Sequence, residues 1–484
     1  MKFAGPLFFL IIIVVFTANT WGFPLQRAKG GAVCLLMDEE PSVDPLAANS
    51  PTEYDLIRAC YITLFELGPD NTPQRYLCRD FKIDLLNAEL YLTLHDAGFS
   101  NGRKITAGDC KFTIERAAAK RADLRYALRG IKGVDEYVEQ ASGEVAGLVV
   151  VSPTELIIRM YSSESTADVL EALCNPALGI LSRDHYRVVG RQYFNAPVTS
   201  GPFTFTRSRD GIVLTPQPNF PFGRPWLDSI TIKHGAGESA HLDFSVGAAD
   251  LLETPPEYYE QYKEDITFTG HMAEKGVLLE YFILLDPAMS PLNEAKVRRA
   301  IRLAIDDTGL AEVTLGGAAL DTYRVPEDAS SMEYRGRFEA AKASLADYAG
   351  IESPIYLGYP SDDGRSALMA EKIALNIEQL GITVIPSAIV DFGKTGMKRG
   401  CGMLLMPVPF LNTDDLSPEL IISLARSWGF GGDALANKAS ADETAGGCCL
   451  PLLRPQRLIV TSNNFNPPIL GQLGEIDFYH LSQG

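Results

Sequence analysis

Residues 196–235 read APVTSGPFTFTRSRDGIVLTPQPNFPFGRPWLDSITIKHG, and their pattern is the most specific in the chain. Phe203 and Phe205 alternate with threonines up to Asp210-Gly211, a dipeptide that favours a tight hairpin turn, and apolar alternation resumes after it. A loop rich in proline and glycine then leads to a third alternating segment around Ile230. The stretch therefore predicts three twisted antiparallel strands.

The chain before this stretch predicts helices and strands in turn. Ser50-Pro51-Thr52-Glu53 and Thr106-Ala107-Gly108-Asp109 are capping boxes, each of which predicts the start of a helix. Strands are predicted from periodicity and from short apolar runs, and Ser152-Pro153 is read as a hairpin turn. The predicted strands are Ala32–Met37, Leu90–Leu94, a hairpin over Val149–Tyr161, and Leu178–Leu181.

The chain after this stretch has the pattern of an α/β unit. Tyr281–Asp286 predicts an apolar strand, and Asn293 is expected to cap a helix whose apolar residues fall at helical spacing. Farther on, a strand, a helix and a second strand imply a parallel pair with a right-handed crossover. The strands predicted here are Pro354–Tyr359, Ile382–Ile385 and Met403–Met406, the last as a further member of that sheet.

Length, charge and the amino-terminal sequence restrict the function. The 484 residues allow two or three domains. The net charge of −18 argues against a nucleic-acid or anionic-membrane partner, because there is no basic patch to release counterions. Lys2, an apolar run over Leu7–Phe16 and the small residue Gly22 are laid out like a signal peptide covering residues 1–22. A lipid anchor at Cys34 is the alternative.

Candidate reactive groups are sparse. One or two disulfides are expected among the eight cysteines of an exported chain. The six histidines lack ligand spacing, so neither a metal site nor a cofactor is predicted. The acidic pairs at 306–307, 362–363 and 414–415 are interpreted as solvated turns. Residues 235–241 (GAGESAH) come near a nucleophile elbow at Ser239 but lack its final glycine, and we interpret them as the crossing between lobes.

The order of these motifs resembles that of the family 5 extracellular solute-binding proteins, the peptide- and nickel-type receptors that feed ABC importers. The matching motifs are the Ser-Gly-Pro-Phe turn, the hairpin and the Leu-Asp-x-Ile strand of 196–235, the Thr-Ala-x-Asp helix start, and Val297-Arg298-Arg299-Ala300-Ile301. The resemblance implies an α/β fold of the two-lobed periplasmic-binding-protein type, with mixed sheets and a ligand cleft between lobes. It implies that residues 23–49, 166–238 and 455–484 form lobe I, 50–165 an inserted subdomain and 239–454 lobe II.

The resemblance also implies a function. The chain is expected to be a monomeric periplasmic receptor, not an enzyme, that encloses a small solute and delivers it to an ABC permease in the inner membrane. Peptide-binding members carry a Trp-x-x-Asp-like stretch after the strand matching Met403–Met406, but residues 407–415 here lack the tryptophan. The missing tryptophan argues against a standard peptide ligand. The resemblance nevertheless makes a peptide the first expectation, with a metal chelate or an opine-like solute as the rival. The expected lining residues are Tyr54, Arg365, Phe410, Asn412 and Asp414. A secreted hydrolase using Ser239, or a scaffold that has lost solute binding, are the alternatives.

Overall fold

The structure is a computed structural model of the chain. It describes residues 30–37, 41–48, 50–68, 70–140, 143–209, 211–218, 220–234, 238–277, 279–321, 329–347, 353–361, 363–390, 400–409, 418–427, 429–431, 435, 447–472 and 474–482.

The strands are β1 (Ala32–Met37), β2 (Phe65–Leu67), β3 (Pro73–Arg75), β4 (Cys78–Asp84), β5 (Glu89–Leu94), β6 (Leu148–Ser152), β7 (Glu155–Arg159), β8 (Phe203–Ser208), β9 (Gly211–Pro216), β10 (Ser229–His234), β11 (Leu251–Glu253), β12 (Met272–Gly276), β13 (Leu279–Leu285), β14 (Ala319–Asp321), β15 (Ile355–Pro360), β16 (Val384–Ile389), β17 (Met403–Pro409) and β18 (Cys449–Thr461). The α-helices are α1 (Pro51–Cys60), α2 (Ala107–Lys120), α3 (Ala122–Leu128), α4 (Val134–Gln140), α5 (Thr166–Ala172), α6 (Arg183–Val189), α7 (Glu238–Ser245), α8 (Tyr259–Glu264), α9 (Ala295–Ala304), α10 (Asp307–Leu315), α11 (Tyr334–Ser344), α12 (Gly364–Glu378) and α13 (Pro418–Ser427).

A large mixed sheet runs through the molecule in the order β16-β15-β17-β13-β18-β11-β1-β10-β9-β8, with β12 and β14 also paired to β18. We call the part of this sheet from β11 to β8 the first half and the part from β16 to β13 the second half. The 13-residue strand β18 lies between them and belongs to both. Its first residues pair with β13 and its last with β11. The chain passes from the first half to the second between β12 and β13. It comes back to the first half along β18, which therefore connects the two halves.

The first half contains the hairpin predicted in 196–235. Strands β8 and β9 are antiparallel with Phe205 opposite Leu214, and β9 pairs antiparallel with β10. Strand β1 is parallel to β10 and to β11. The apolar faces of these strands pack against α1 in one core, which includes Leu35, Leu56 and Ile57. The three-strand prediction is confirmed.

The second half has helices on both faces of its sheet. Strand β15 is parallel to β16 and to β17, as the strand-helix-strand pattern predicts. Every residue of β13 is buried, which fits a strand covered on both sides. Ile373 of α12 packs with Ile283 on one face, while Ile421 of α13 packs with Leu284 on the other.

A separate four-stranded antiparallel sheet, β4-β5-β7-β6, lies within residues 78–159. Helix α2 covers it, and the capping box predicted at Thr106 and Asp109 is formed. The predicted domain limits remain a prediction. Strand β11, inside the expected lobe II range, pairs with β1 of the expected lobe I, so strands from both expected lobes belong to the same half of the sheet.

Two of the predicted elements are wrong. Leu178–Leu181 is not a strand, because a 3₁₀ turn at Pro176–Leu178 precedes it and the Ile180 amide donates to the Ile62 carbonyl oxygen at 2.8 Å. Pro176 begins that turn, and proline cannot donate to a ladder. Asn293 does not cap α9, which begins at Ala295 with Glu294 at the cap position.

The cysteines also differ from expectation. Cys34, Cys60, Cys78, Cys110 and Cys174 are free thiols, so none of these five forms the expected disulfides. They are distributed over several elements, and four of them are buried in the cores. In this part of the chain, apolar packing holds the fold without cross-links.

Candidate functional site

The carboxyl ends of the parallel strands β15 and β17 meet at one edge of the large sheet, which we call the carboxyl edge. After β15 the chain continues through α12 to β16 on one side, whereas β17 lies on the other side of β15. In open α/β sheets, this reversal of strand order leaves a crevice in which ligands bind. The carboxyl edge is therefore the candidate site.

Asp363 organises the chain at the carboxyl edge. It caps α12 by accepting a hydrogen bond from the Arg365 backbone N–H at 3.0 Å, and it accepts others from the Ser366 hydroxyl at 2.5 Å and the Tyr281 hydroxyl at 3.2 Å. Burial of Tyr281, with the nearby Asp363 carboxylate, raises the pKa of the phenol, so Tyr281 donates as a neutral group. These bonds fix the backbone of Arg365 in the first turn of α12.

A buried ion pair links this edge to β18. Strand β13 is antiparallel to β17, with Leu279 opposite Pro409, so its amino end lies at the carboxyl edge. Glu280, near this end, is 5% exposed and pairs with Arg454 of β18 at 3.1 Å. The pair therefore connects the candidate site to the strand shared by both halves of the sheet.

A cavity of about 390 Å³ lies where the four-stranded unit faces α13. One wall carries Arg125, Tyr126, Arg129, Asp135 and Glu139, and the other carries Ser423 and Leu424 of α13. Helix α13 is the first described element after β17. The cavity therefore adjoins the part of the chain that leaves the carboxyl edge.

The structure separates the predicted lining residues. Arg365 lies at the carboxyl edge. Tyr54 is 4% exposed in the core around β1, where its hydroxyl donates to the Ala48 carbonyl oxygen at 3.4 Å and burial raises its pKa. Phe410, Asn412 and Asp414 lie outside the described residues, in the sequence between β17 and α13. Their roles stay predictions.

Comparison with known families identifies the fold. Residues 91–407 match the family described as "Bacterial extracellular solute-binding proteins, family 5 Middle", which is well over half of the chain. The chain belongs to this family. The resemblance predicted from the ordered motifs is therefore confirmed.

Relatives of this family 5 protein carry names of peptide-binding proteins. It is 25% identical over 312 residues to the "Probable D,D-dipeptide-binding periplasmic protein DdpA" of Escherichia coli (strain K12). That match covers 61% of this chain and 57% of the relative, so it spans little more than half of the relative's length.

Solved structures show the same fold at lower identity. Listeria monocytogenes OppA bound to peptide has a TM-score of 0.72 at 14% identity, covering 93% of this chain and 99% of that one. The Escherichia coli murein tripeptide binding protein MppA has a TM-score of 0.72 at 15% identity, covering 95% and 99%. The predicted class, a two-lobed mixed α/β solute-binding protein, is confirmed.

Ser239 and His241 are not arranged as a nucleophile and its base in this family 5 protein. Ser239 is exposed in the first turn of α7, which follows β10 in the chain. His241 stacks on Tyr258 with ring centroids 4.1 Å apart, and its Nδ1 forms a 2.8 Å hydrogen bond with the Tyr262 hydroxyl. Residues two apart on a helix do not face each other, so His241 is not placed to act as a base for Ser239.

The described residues contain neither a metal-binding cluster nor a helix suited to span a membrane. Among the described residues, no cluster of three or more histidine, cysteine, aspartate or glutamate side chains could hold a metal ion. None of the described helices is both long and apolar enough to cross a bilayer.

Sequence reasoning missed the residues that line the cavity. Arg125 and Arg129, and likewise Asp135 and Glu139, are four residues apart, a spacing that puts each pair on one helical face. Such spacing is also typical of a solvated helix, so it does not indicate a site by itself. The juxtaposition with α13 arises only from tertiary packing.

Proposed function

We propose that this family 5 protein is the substrate-binding receptor of an ABC importer. It encloses a small solute at the carboxyl edge and delivers it to a permease in the inner membrane. The observation that carries the proposal is the family match over residues 91–407, on a fold whose strand order reverses at β15, the arrangement at which open α/β sheets bind ligands. Closure of two lobes around a ligand is the motion that such receptors use.

A peptide-like solute is the first candidate ligand. The relatives named above include a probable D,D-dipeptide-binding protein, a peptide-bound OppA and a murein tripeptide-binding protein. We propose Arg365, Phe410, Asn412 and Asp414 as lining residues, because Arg365 lies at the carboxyl edge and the other three follow β17 in the chain. Tyr54 is retained as a more distant candidate. A metal chelate or an opine-like solute remains the rival ligand class.

We further propose that the protein is a periplasmic monomer divided as the family implies. Residues 1–22 would be removed as a signal peptide, and residues 50–165 would form the inserted subdomain of lobe I. The four-stranded sheet within 78–159 supports the second assignment, because its strands pair only with one another among the described residues. Amino-terminal sequencing of exported protein should begin at Phe23.

We also propose that the bound solute is not turned over. The hydrogen bond between His241 Nδ1 and the Tyr262 hydroxyl supports this, because it engages a ring nitrogen of the histidine nearest in sequence to Ser239. Ser239→Ala should leave both the bound mass and its lifetime unchanged. Loss of solute consumption in this variant would support the hydrolase instead.

Native mass spectrometry of gently purified protein tests the receptor function. We expect a discrete additional mass that is lost on denaturation, and its fragmentation should identify the ligand class. Arg365→Gln should reduce occupancy of that mass, whereas Arg335→Gln, a matched exposed arginine on α11, should not. A bare mass, together with no thermal shift against peptides, metal chelates and opines, would contradict the receptor function and favour a scaffold.

A further inference from the structure

The two chain segments that connect the halves of the large sheet lie side by side, and the register between them breaks at one place. Gly276 is opposite Gln456, and Tyr281 is opposite Leu453. Along the passage from β12 to β13, four residues separate these two pairs, whereas along β18 only two do. Extra residues on one strand form a bulge, at which pairing is disrupted and the strand bends. The break therefore marks the place where the halves can turn relative to each other.

Side chains anchor the chain on both sides of the break. Toward the first half, the Arg457 guanidinium donates to the carboxylates of Asp55 and Glu253. Toward the second half, the Tyr281 hydroxyl donates at 3.2 Å to the carboxylate that caps α12. Pro455 lies between these anchors and has no N–H to donate to a neighbouring strand. Bending is therefore confined to the few residues between the anchors.

The ion pair between Glu280 and Arg454 lies at this break. Glu280 directly precedes Tyr281, and Arg454 directly follows Leu453 on the opposite strand. The carboxylate oxygen and the guanidinium nitrogen are 3.1 Å apart, and Glu280 is buried. Attraction between buried charges is stronger than in water and weakens as they separate, and a carboxylate left buried without its partner is costly. The pair therefore resists a turn that moves these two side chains apart.

We propose that the Glu280–Arg454 ion pair is a lock that holds the two halves of the large sheet in the arrangement of this structure. Turning at the break separates the two side chains, so the pair sets how often the halves leave this arrangement when no solute is bound. The inference rests on the proposed function, because the motion that the lock limits is closure around a solute. It goes beyond that function, because neither residue has to touch the solute.

The distribution of distances between the two halves tests the lock. Spin labels carried on ketone-bearing residues at Val188 of α6 and Leu375 of α12, both exposed, report this distance without use of the native cysteines. We expect a broader distribution in Glu280→Gln with Arg454→Gln than in the unaltered protein. Glu280→Met with Arg454→Leu should broaden it as well, because apolar side chains often replace a buried ion pair without loss of stability. An unchanged distribution in either folded variant would overturn the proposal.

A second ion pair of low exposure provides the matched control. Arg337 of α11 pairs with Asp307 of α10, and both helices follow β13 and precede β15 in the chain, away from the break. Arg337→Gln with Asp307→Asn should leave the distance distribution unchanged. Equal broadening in this control would show that loss of any such pair loosens the protein, and it would overturn the specific role of Glu280 and Arg454.

Hydrogen exchange of the backbone amides beside the break tests the unaltered protein directly. The Val277 N–H donates to the Pro455 carbonyl oxygen at 2.9 Å, and the Gln456 N–H to the Ala318 carbonyl oxygen at 2.8 Å. Both amides should exchange as slowly as those of β13, and about tenfold faster in the double glutamine variant, which corresponds to about 1.4 kcal/mol. Fast exchange in the unaltered protein would overturn the lock even where neither variant folds. All these measurements are made without solute, so the lock can fail while the receptor function stands, and a bare mass in native mass spectrometry would refute the receptor without affecting them.

Discussion

Arg457 of β18 joins three segments that are distant in sequence. Its guanidinium donates to the two carboxylate oxygens of Asp55 at 2.9 and 2.7 Å, to Glu253 at 3.0 Å and to the Gly474 carbonyl oxygen at 3.0 Å. Burial raises the pKa of Asp55 to about 7, although the guanidinium acts in the opposite direction. Burial alone would lower the pKa of Arg457. The negative charges of Asp55 and Glu253 have the larger effect, so the pKa of Arg457 is raised.

Arg457→Met should therefore destabilise the protein strongly at pH 8, where Asp55 is ionised. Removing one partner of a buried ion pair costs about 3–5 kcal/mol, because the remaining charge is left buried without compensation. Urea unfolding followed by circular dichroism measures the loss. Arg159→Met, which breaks the half-exposed pair with Glu89, should cost less than about 1 kcal/mol. Equal losses in the two variants would contradict the structural role of Arg457.

The buried thiols provide a second test at the residue scale. Burial raises the pKa of Cys78 to about 11 and of Cys174 to about 12, and raises that of Cys60 and Cys110 as well. The thiolate is the nucleophile, so these four should react slowly with iodoacetamide at pH 8 in the folded protein. Cys34, which is partly exposed, should react first.

Mass spectrometry of the alkylated peptides measures this order. In urea without reductant, all five thiols should be labelled, since none is in a disulfide in the structure. A cysteine that becomes reactive only after reduction would show that it forms a disulfide, as the sequence predicts for an exported chain.

At the scale of elements, Asp363 holds the start of α12. Asp363→Ala removes the cap and leaves the Tyr281 hydroxyl without its acceptor, so it should cost about 0.5–2 kcal/mol. Asn is an equally good cap, so Asp363→Asn should cost little. Thermal unfolding compares the two variants. If both are equally destabilised, the charge of Asp363 and not its capping bond is what stabilises α12.

The elements with local signals could be predicted from the sequence. Strand β1 has the predicted bounds, and the capping boxes at Ser50 and Thr106 begin helices, because both depend on neighbouring residues alone. The short apolar run Leu178–Leu181 predicts a strand, but such a run can be buried equally well without hydrogen bonding to a neighbouring strand. The error shows that burial and strand pairing are separate properties.

The carboxyl edge was not predicted from the sequence, and Arg365 was expected as a lining residue only alongside the family resemblance. In the structure the strand-helix-strand unit places Arg365 at the carboxyl end of β15, and the position of β17 beside β15 completes the edge. The cavity was not predicted, because Arg125 and Ser423 are distant in sequence and their approach depends on how the four-stranded unit packs against α13. Charge spacing within one helix carries no information about such a partner.

At the scale of the whole molecule, β18 and the passage from β12 to β13 connect the two halves of the large sheet. Such connections between packed units are where hinge closure takes place in binding proteins. We expect the solute recovered from the purified protein to reduce the radius of gyration when it is added back to stripped protein. Small-angle scattering measures this change.

The same solute should stabilise the folded state, because it binds the native protein and not the unfolded chain. At about 100 times its Kd it should add roughly 2.7 kcal/mol to the free energy of unfolding. Arg365→Gln is the matched control, since it keeps the Asp363 cap, which uses the backbone N–H of residue 365, and removes the charge. The Arg365→Gln variant should require a higher solute concentration than the unaltered protein to reach the same decrease in radius of gyration. Stabilisation without any change in scattering would mean that the solute binds without moving the two halves. Such a result would contradict the proposed closure around the solute.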